Sequence, residues 1–478
     1  MNYILSLLIL IPFIGMLFTL FIKYPDTRAV RNVRNVKLIV TVAQMLLCFI
    51  MLFFNRMYPD ENFFFSGSSA ITHLSFELMA DGLSLLFMTF ASVFFVLVTL
   101  MDWNSKIKMP KDYSALFLWL ESMTFGIFCS GDIISFIFFF TGAIIPLCIL
   151  LRLYSFTDKD RYFLSPLFFL IFSCAGILMF CLLLLGRYSD SYLLSSLSGY
   201  MLSVRRLFFI KTLLLLSLTG IGYVFPLLAS DRCNTASTPW GIFYTASVIP
   251  FISGIYTCIR VLVNMPSVNT GHLSTVFYIV AGCGLCYLSL KTVVQKDLRK
   301  VIGCYSNIYV TICFIGVLSS SYVARQGSFL LTLNYVPVLA VLIFVTAIIH
   351  DKVNSSHIFE VSGLCQVMPF FANLFFITCV CVSFFPLTGG FSGIILTVEG
   401  LFASSGIVGI ITVLAAMTLA AYIFYSYQNI ALGILPDRIK STEDISLKSG
   451  LLLLTCLGLA FGLGIFPDWF LTVAGNSF

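Results

Sequence analysis

Val294-Gln295-Lys296-Asp297-Leu298-Arg299-Lys300-Val301-Ile302-Gly303-Cys304-Tyr305-Ser306-Asn307 is the stretch on which the reading of this chain turns. It is a short charged knot between two apolar runs, 271–293 and 301–320. Each run is long enough to cross a bilayer, so the knot reads as a point where the chain re-enters the membrane. Composition agrees. The 478 residues are 59% hydrophobic and 10% charged, with a mean hydropathy of +1.02. Soluble domains carry about 25% charged residues, so this is an integral membrane protein. Its structural unit is a spanning helix of about 20 residues.

Outward from the knot, apolar runs of spanning length fall at 3–23, 36–54, 82–101, 113–130, 132–153, 162–186, 207–229, 239–263, 271–293, 301–320, 328–350, 366–385, 390–432 and 449–472. The run 390–432 exceeds one span. Residues 390–403 read as the second half of a broken helix begun at 366, and 406–432 as the next helix. This predicts an all-α polytopic protein with about 14 transmembrane helices. Twenty of the 27 Lys and Arg then fall in loops on one face, side A, and five on side B. By the positive-inside rule side A is the cytoplasmic or matrix face, and both termini lie on side B. Segment 62–77 reads as a short hairpin or coil. Met1–Lys23 is too long for a signal-peptide core and reads as a retained first helix. The expected organisation is 1–112 for helices 1 to 3, 113–263 and 271–432 for two repeats, and 433–478 for a terminal helix.

Two spans carry helix breakers at mid-membrane depth. The seventh contains Gly220, Gly222 and Pro226, and the twelfth contains Pro386, Gly389, Gly390 and Gly393. Proline removes a donor and clashes with the preceding turn. Freed backbone groups are tolerated in hydrocarbon only beside protein or a water-filled cavity. Breaks five helices apart suit two inverted five-helix repeats, helices 4–8 and 9–13, with broken helices 7 and 12. The 15 cysteines are scattered in apolar runs, and the one CxxC pair, Cys283 and Cys286, lies mid-helix without a second pair. That pattern reads as small buried hydrophobes rather than a metal site. Neither GxGxxG nor a Walker sequence is present.

Gln295–Ser306 resembles the signature loop of the antiporter-like, proton-pumping subunits of respiratory complex I, NADH:ubiquinone oxidoreductase. Weaker likenesses cover most of the chain: Ala80-Asp81-Gly82-Leu83-Ser84, Phe125 to Asp132, Ile145-Pro146, Ser362-Gly363-Leu364, Met368-Pro369, Pro386 to Gly393, and Gly464-Ile465-Phe466-Pro467. Their order and spacing favour the subunit-4 branch of that family. The resemblance implies a membrane-arm subunit of an H⁺-translocating NADH:ubiquinone reductase in a mitochondrial inner or bacterial-type energy-transducing membrane. It implies no cofactor bound by this chain. NADH, FMN, iron–sulfur clusters and ubiquinone are expected in partner subunits. Neighbouring antiporter-like subunits, accessory subunits and lipids such as cardiolipin are the expected contacts, and nucleic acid is not. A related multi-subunit cation/proton antiporter shares the same loop, and a complex I scaffold that has lost its channel is a further alternative.

The sequence departs from the family at the positions that matter for protons. The fifth-helix Glu is Thr141, the seventh- and eighth-helix lysines align with Ile221 and Ile252, the helix-11 His is Asn334, and the Glu after the Pro-Gly-Thr bend is Ile394. The polar candidates that remain are Glu121, Glu399, Lys211, His350, Asn334 and Lys291. A charge at the bilayer centre costs on the order of 2.5–3.5 kcal/mol, so Glu121 and Glu399 stand out as proton relays. Lys211 can equally snorkel toward Arg205 and Arg206. His350 sits beside Asp351 and Lys352 near a helix end. Arg260 reads as an interfacial anchor, and Asp297, Arg299 and Lys300 as a salt cluster on side A.

Overall fold

The structure is a computed structural model describing residues 4–22, 27–57, 63–68, 75–103, 107, 109–154, 158–188, 192–194, 204–231, 239–263, 265, 271–353, 357–435 and 443–475. With nothing in hydrocarbon to bond a bare amide, the chain resolves almost wholly into helices. Eleven of them are long and apolar enough to cross a membrane. Together with α4 (Pro110–Cys129), α7 (Val204–Asp231) and the pair α13 (Pro369–Val382) and α14 (Gly389–Ser404), they make the fourteen expected spans. Among the described residues, the regular structure that is not helix is an antiparallel hairpin, β1 (Phe63–Ser68) and β2 (Ser75–Ala80), pairing Phe63 with Ala80 and Ser68 with Ser75.

The helices group into two compact units. The first covers 1–225, 235–270 and 472–477. Its axis is α3 (Gly82–Met101), nearly all of whose side chains are buried. Asp81 caps the start of α3, its carboxylate accepting from the Ser84 amide at 3.0 Å, and Asp102 closes the other end. At 20 residues α3 rises about 30 Å, the thickness of a bilayer core. Around it pack α2 (Thr27–Met57), α4 and α8 (Trp240–Thr257), while α1 (Ile4–Phe21) lies against α2 and α4 and α5 (Ile133–Tyr154) against α4. After α8 the chain continues as a π-helical turn, Cys258–Val263.

The second unit covers 226–234 and 271–471. The α9 (Gly271–Val294) and α10 (Leu298–Val317) hairpin carries the charged knot. Tyr422 of α15 (Gly406–Ala431) donates its hydroxyl to the Gln295 carbonyl, and the Ile358 amide donates to the Lys296 carbonyl at 2.9 Å. Asp297 lies 4.0 Å from His357, and Arg299 is buried. The signature loop therefore fastens a helical hairpin to two other parts of its unit largely through backbone groups. α11 (Tyr322–Val353) packs most extensively against α14, and α16 (Leu447–Ile465) covers both.

The twelfth span breaks as the breakers predict. Residues 383–388 leave the helix, with Phe384 and Leu387 at φ 54° and 75°. Left-handed backbone at non-glycine residues is strained. Thr388 restarts the helix, its hydroxyl accepting from the Phe391 amide. The end of α14 at Ser404 and the start of α15 at Gly406 also fall at the expected junction. The seventh span corrects the expectation, because α7 runs as one helix through Gly220, Gly222 and Pro226. A lone proline forfeits one hydrogen bond and bends a rod without ending it, and α1, α5, α8 and α11 likewise hold Pro12, Pro146, Pro250 and Pro337 internally. Only the twelfth span adds two left-handed residues and a new cap.

The α11–α14 seam depends on small residues. A Cβ on Gly327 would fall 2.4 Å from the Thr397 amide nitrogen and 2.7 Å from the Gly393 carbonyl oxygen. Gly327→Ala is expected to cost about 2 kcal/mol by overpacking, read as a lowered unfolding midpoint in detergent. Gly284→Ala, with nothing within 4 Å, is expected to leave the midpoint in place.

Candidate functional site

Ionisable groups are divided unequally between the two units. Among the described residues, Lys37, Asp102, Glu121 and Asp132 are buried in the first unit, and Arg299 alone in the second. Three of the first unit's groups converge. Glu121 of α4 has no exposed surface, and neither of its carboxylate oxygens has a hydrogen-bond partner among the described residues. Lys37 of α2, 3% exposed, lies within electrostatic reach of both Glu121 and Asp102. Its ammonium sits 3.8 Å from the centre of the Phe117 ring and 4.6 Å from that of Tyr113, a cation–π arrangement that partly replaces lost hydration. The Tyr113 hydroxyl donates to Asp102.

Asp102 also receives the Gly241 amide at 3.3 Å, at the first turn of α8. A negative group suits that end of a helix, where amides are unpaired and the dipole is positive. A Cβ on Gly241 would fall 2.1 Å from the carboxylate, so the contact needs glycine there. Burial pushes the Asp102 carboxyl above the usual carboxylate range, while Lys37 and the Tyr113 hydroxyl pull it back. Arg34, Trp103, Ile107 and Pro110 complete a cavity over Lys37, Asp102 and Tyr113 with space for about one water molecule.

The other end of α3 holds a second ionic network. Arg260, on the π-helical turn, pairs with Asp81 at 2.6 Å and donates to the Ser84 hydroxyl at 3.0 Å and the Tyr256 hydroxyl at 3.3 Å. Tyr256 and Ser84 share a hydrogen bond, and Tyr256 also donates to the Phe128 carbonyl at 3.0 Å. Arg260 is therefore a helix-joining residue inside the unit, not an anchor at the lipid interface. A π-turn places its guanidinium where regular α-helix would carry it round the axis.

Around the break in the twelfth span, the second unit's buried polar side chains are uncharged. Asn334 is buried on α11 and donates to the Tyr309 hydroxyl at 3.1 Å, while its side-chain oxygen has no hydrogen-bond partner among the described residues. That oxygen faces the break, where a Cβ on Gly389 would lie 2.8 Å away. Tyr305 and Tyr335 flank Tyr309, Tyr309 stacks on Phe384 at 5.7 Å, and Ser306 is bonded to Tyr335.

The six candidates read from the sequence are thus dispersed. Glu121 and Lys211 lie in the first unit, and Asn334, Lys291, His350 and Glu399 in the second. Glu399 is exposed on α14, and Lys211 and Lys291 are half-buried. His350 lies 3.8 Å from Asp351, which is itself exposed. Lys37, Asp102 and Tyr113 are not among the candidates read from the sequence. The signal was there: Lys37, Thr41, Gln44 and Cys48 repeat at helical spacing, and all four are buried on α2. At the positions where the resemblance leads one to expect an acid or base, Thr141 bonds back to the Ile137 carbonyl of its own helix, and Ile252 and Ile394 are buried. The side chain of Ile221 lies outside those described.

Residues 130–420 match the model of the family described as NADH:quinone oxidoreductase/Mrp antiporter, TM. The chain belongs to this family. The chain is 24% identical to the NADH-ubiquinone oxidoreductase chain 4 of Mycosarcoma maydis, over 97% of its own length and 96% of that protein. Its fold is that of a chain in the respiratory complex I from Thermus thermophilus with bound NADH, at TM-score 0.85 and 17% identity, covering 99% of this chain and 98% of the other. It also matches a chain of the Mrp complex from Dietzia sp. DQ12-45-1b at TM-score 0.82 and 15% identity, covering 100% and 97%. As an antiporter-like family member, the protein has ordinary length and fold.

The Asp81–Arg260 pair joins the start of α3 to the end of α8. Arg260→Gln leaves a largely buried carboxylate without its cation, and the expected loss is about 3 kcal/mol. Thermal unfolding of the solubilised protein checks it, with Asp81→Asn expected to cost less because the amide still accepts the Ser84 cap.

Proposed function

We propose that this chain is an antiporter-like membrane-arm subunit of an H⁺-translocating NADH:ubiquinone oxidoreductase, and that Glu121 is a group on which the moving proton resides. The observation that carries the reading is Glu121 itself: fully buried, on a spanning helix, with neither oxygen hydrogen-bonded among the described residues and with Lys37 in electrostatic range. A carboxylate in that position is expensive unless it has a cation or a proton at hand. Such a group changes its proton occupancy when a nearby charge moves. Family membership and the near-complete coverage of chain 4 relatives support the place in the complex. Redox energy would be released in partner subunits that hold NADH, FMN, iron–sulfur clusters and ubiquinone, and would reach this chain as a shift of charge. The basic loops of side A would then face the matrix or bacterial cytoplasm, with both termini opposite.

The family also contains subunits of multi-subunit cation/proton exchangers, and copurification separates the two. Flavin and iron–sulfur subunits in the same detergent particle support complex I, and their absence from an intact particle overturns it. Within that particle, Glu121→Gln is expected to lower proton translocation by roughly 100-fold with assembly intact. Glu399→Gln, on an exposed side chain, is expected to have a much smaller effect. Normal pumping by Glu121→Gln removes Glu121 from the path.

A further inference from the structure

The first three helices lie outside the two five-helix blocks of the sequence reading, yet they supply the charged partners in the cluster that includes Glu121. α2 contributes Lys37, and the chain leaving α3 contributes Asp102. On α4, Tyr113, Phe117 and Glu121 recur every fourth residue, which stacks them on one face. From Tyr113 to Glu121 that face climbs about 12 Å. Lys37 lies against the first two members of the stripe and in electrostatic range of the third. The groups form a graded funnel. Arg34, Trp103 and Ile107 at its rim are half-buried, whereas Lys37, Asp102 and Tyr113 at its floor are buried.

We propose that this funnel is a proton uptake port from side A, with Lys37 as the relay that loads Glu121. Neither Glu121 oxygen is hydrogen-bonded to Lys37 in this structure, so the flexible lysine stem must swing along the α4 stripe to reach it; the ammonium then passes a proton to the Glu121 carboxylate, leaving an amine and a carboxylic acid. The amine then takes a proton from a hydronium ion in the cavity, which becomes water. One proton has left side A, and Lys37 is back in its starting state. Asp102 is a positioning residue: it holds Tyr113 and the start of α8, and its charge draws cations to the cavity floor. The charged and titratable groups facing Lys37 are Arg34 on its own helix, Asp102 after α3, and Tyr113 and Glu121 on α4. α1, packed on the same side, contributes none.

Lysine and arginine separate a relay from a fixed charge. Lysine can give up its proton in a buried site, whereas arginine stays protonated in proteins. The inference rests on Glu121 as the carrier, so the experiment keeps the two apart. The intact complex is reconstituted in liposomes with side A outward, and NADH-driven proton uptake is followed for Lys37→Arg, Asp102→Asn and Glu121→Gln, with assembly checked on native gels. Lys37→Arg is expected to assemble and to slow uptake by roughly 100-fold. Uptake at the normal rate would mean that a permanent cation suffices, which overturns the relay and leaves the Glu121 reading standing. Normal uptake by Glu121→Gln overturns both. Should Lys37→Arg fail to assemble, Asp102→Asn decides. Its amide still accepts from Tyr113 and Gly241, so assembly is expected, with uptake slowed roughly tenfold and recovering as side A is acidified. A purely structural lesion would not recover with acid, and an unslowed or acid-insensitive Asp102→Asn overturns the port.

Discussion

Burying Lys37, Asp102 and Glu121 inside an apolar bundle is the constraint to which the first unit answers. Each charge forfeits its hydration, a loss of several kcal/mol that only close partners offset. The bundle supplies those partners from many directions. Aromatic rings of α4 lie under the ammonium, the Tyr113 hydroxyl and Gly241 amide meet the Asp102 carboxylate, and the first turn of α8 adds its dipole. Glycine at 241 and the course of the chain out of α3 follow from the need to bring those groups together. Glu121 is the member left without a hydrogen bond among the described residues, and it lies deepest along the α4 stripe. A group kept in that condition responds most strongly to a change in nearby charge.

α3 carries ionic networks at both its ends and is buried between them. Asp81 with Arg260 at one terminus and Asp102 with Lys37 at the other are separated by a helix as long as the hydrocarbon is thick. The Arg260 network is fully bonded and uses a π-helical turn to reach across, which suits a fastening. The Lys37 network includes a cavity and an unsatisfied acid, which suits exchange with solvent. The same residue types thus do different things because one set is saturated and the other is not.

Around its break the second unit solves the polar problem without charge, its one buried cation among the described residues being Arg299 in the signature loop. Its break at 383–388 holds two left-handed residues in place by close packing of Gly389 and Gly464 and by the Thr388 cap. The groups aimed at that break are Asn334 and a set of tyrosines, which can bond water but do not carry charge into the membrane. The loop between α9 and α10 is tied to α15 and to the segment after α11 largely through backbone groups.

Much of this was legible in the residue order. Hydrophobic runs of spanning length place the fourteen spans, because backbone groups in lipid leave the chain no option but helix. The Pro386 break, the Ser405 junction and the family membership through Gln295–Ser306 are local matters of composition and cap chemistry, and local chemistry is written along the chain. The seventh span differs from its sequence reading because a proline's single lost hydrogen bond does not reveal whether the rod around it bends or parts. The buried face of α2 that carries Lys37 is legible in its helical spacing, but the partners Lys37 meets are not, for a different reason. Lys37, Asp102 and Tyr113 lie on three elements, and Asp102 meets Gly241 across 139 residues of chain. Hydropathy records each residue's own cost of burial. Only tertiary packing decides which partners offset it, and so which buried charge is fastened and which is left responsive.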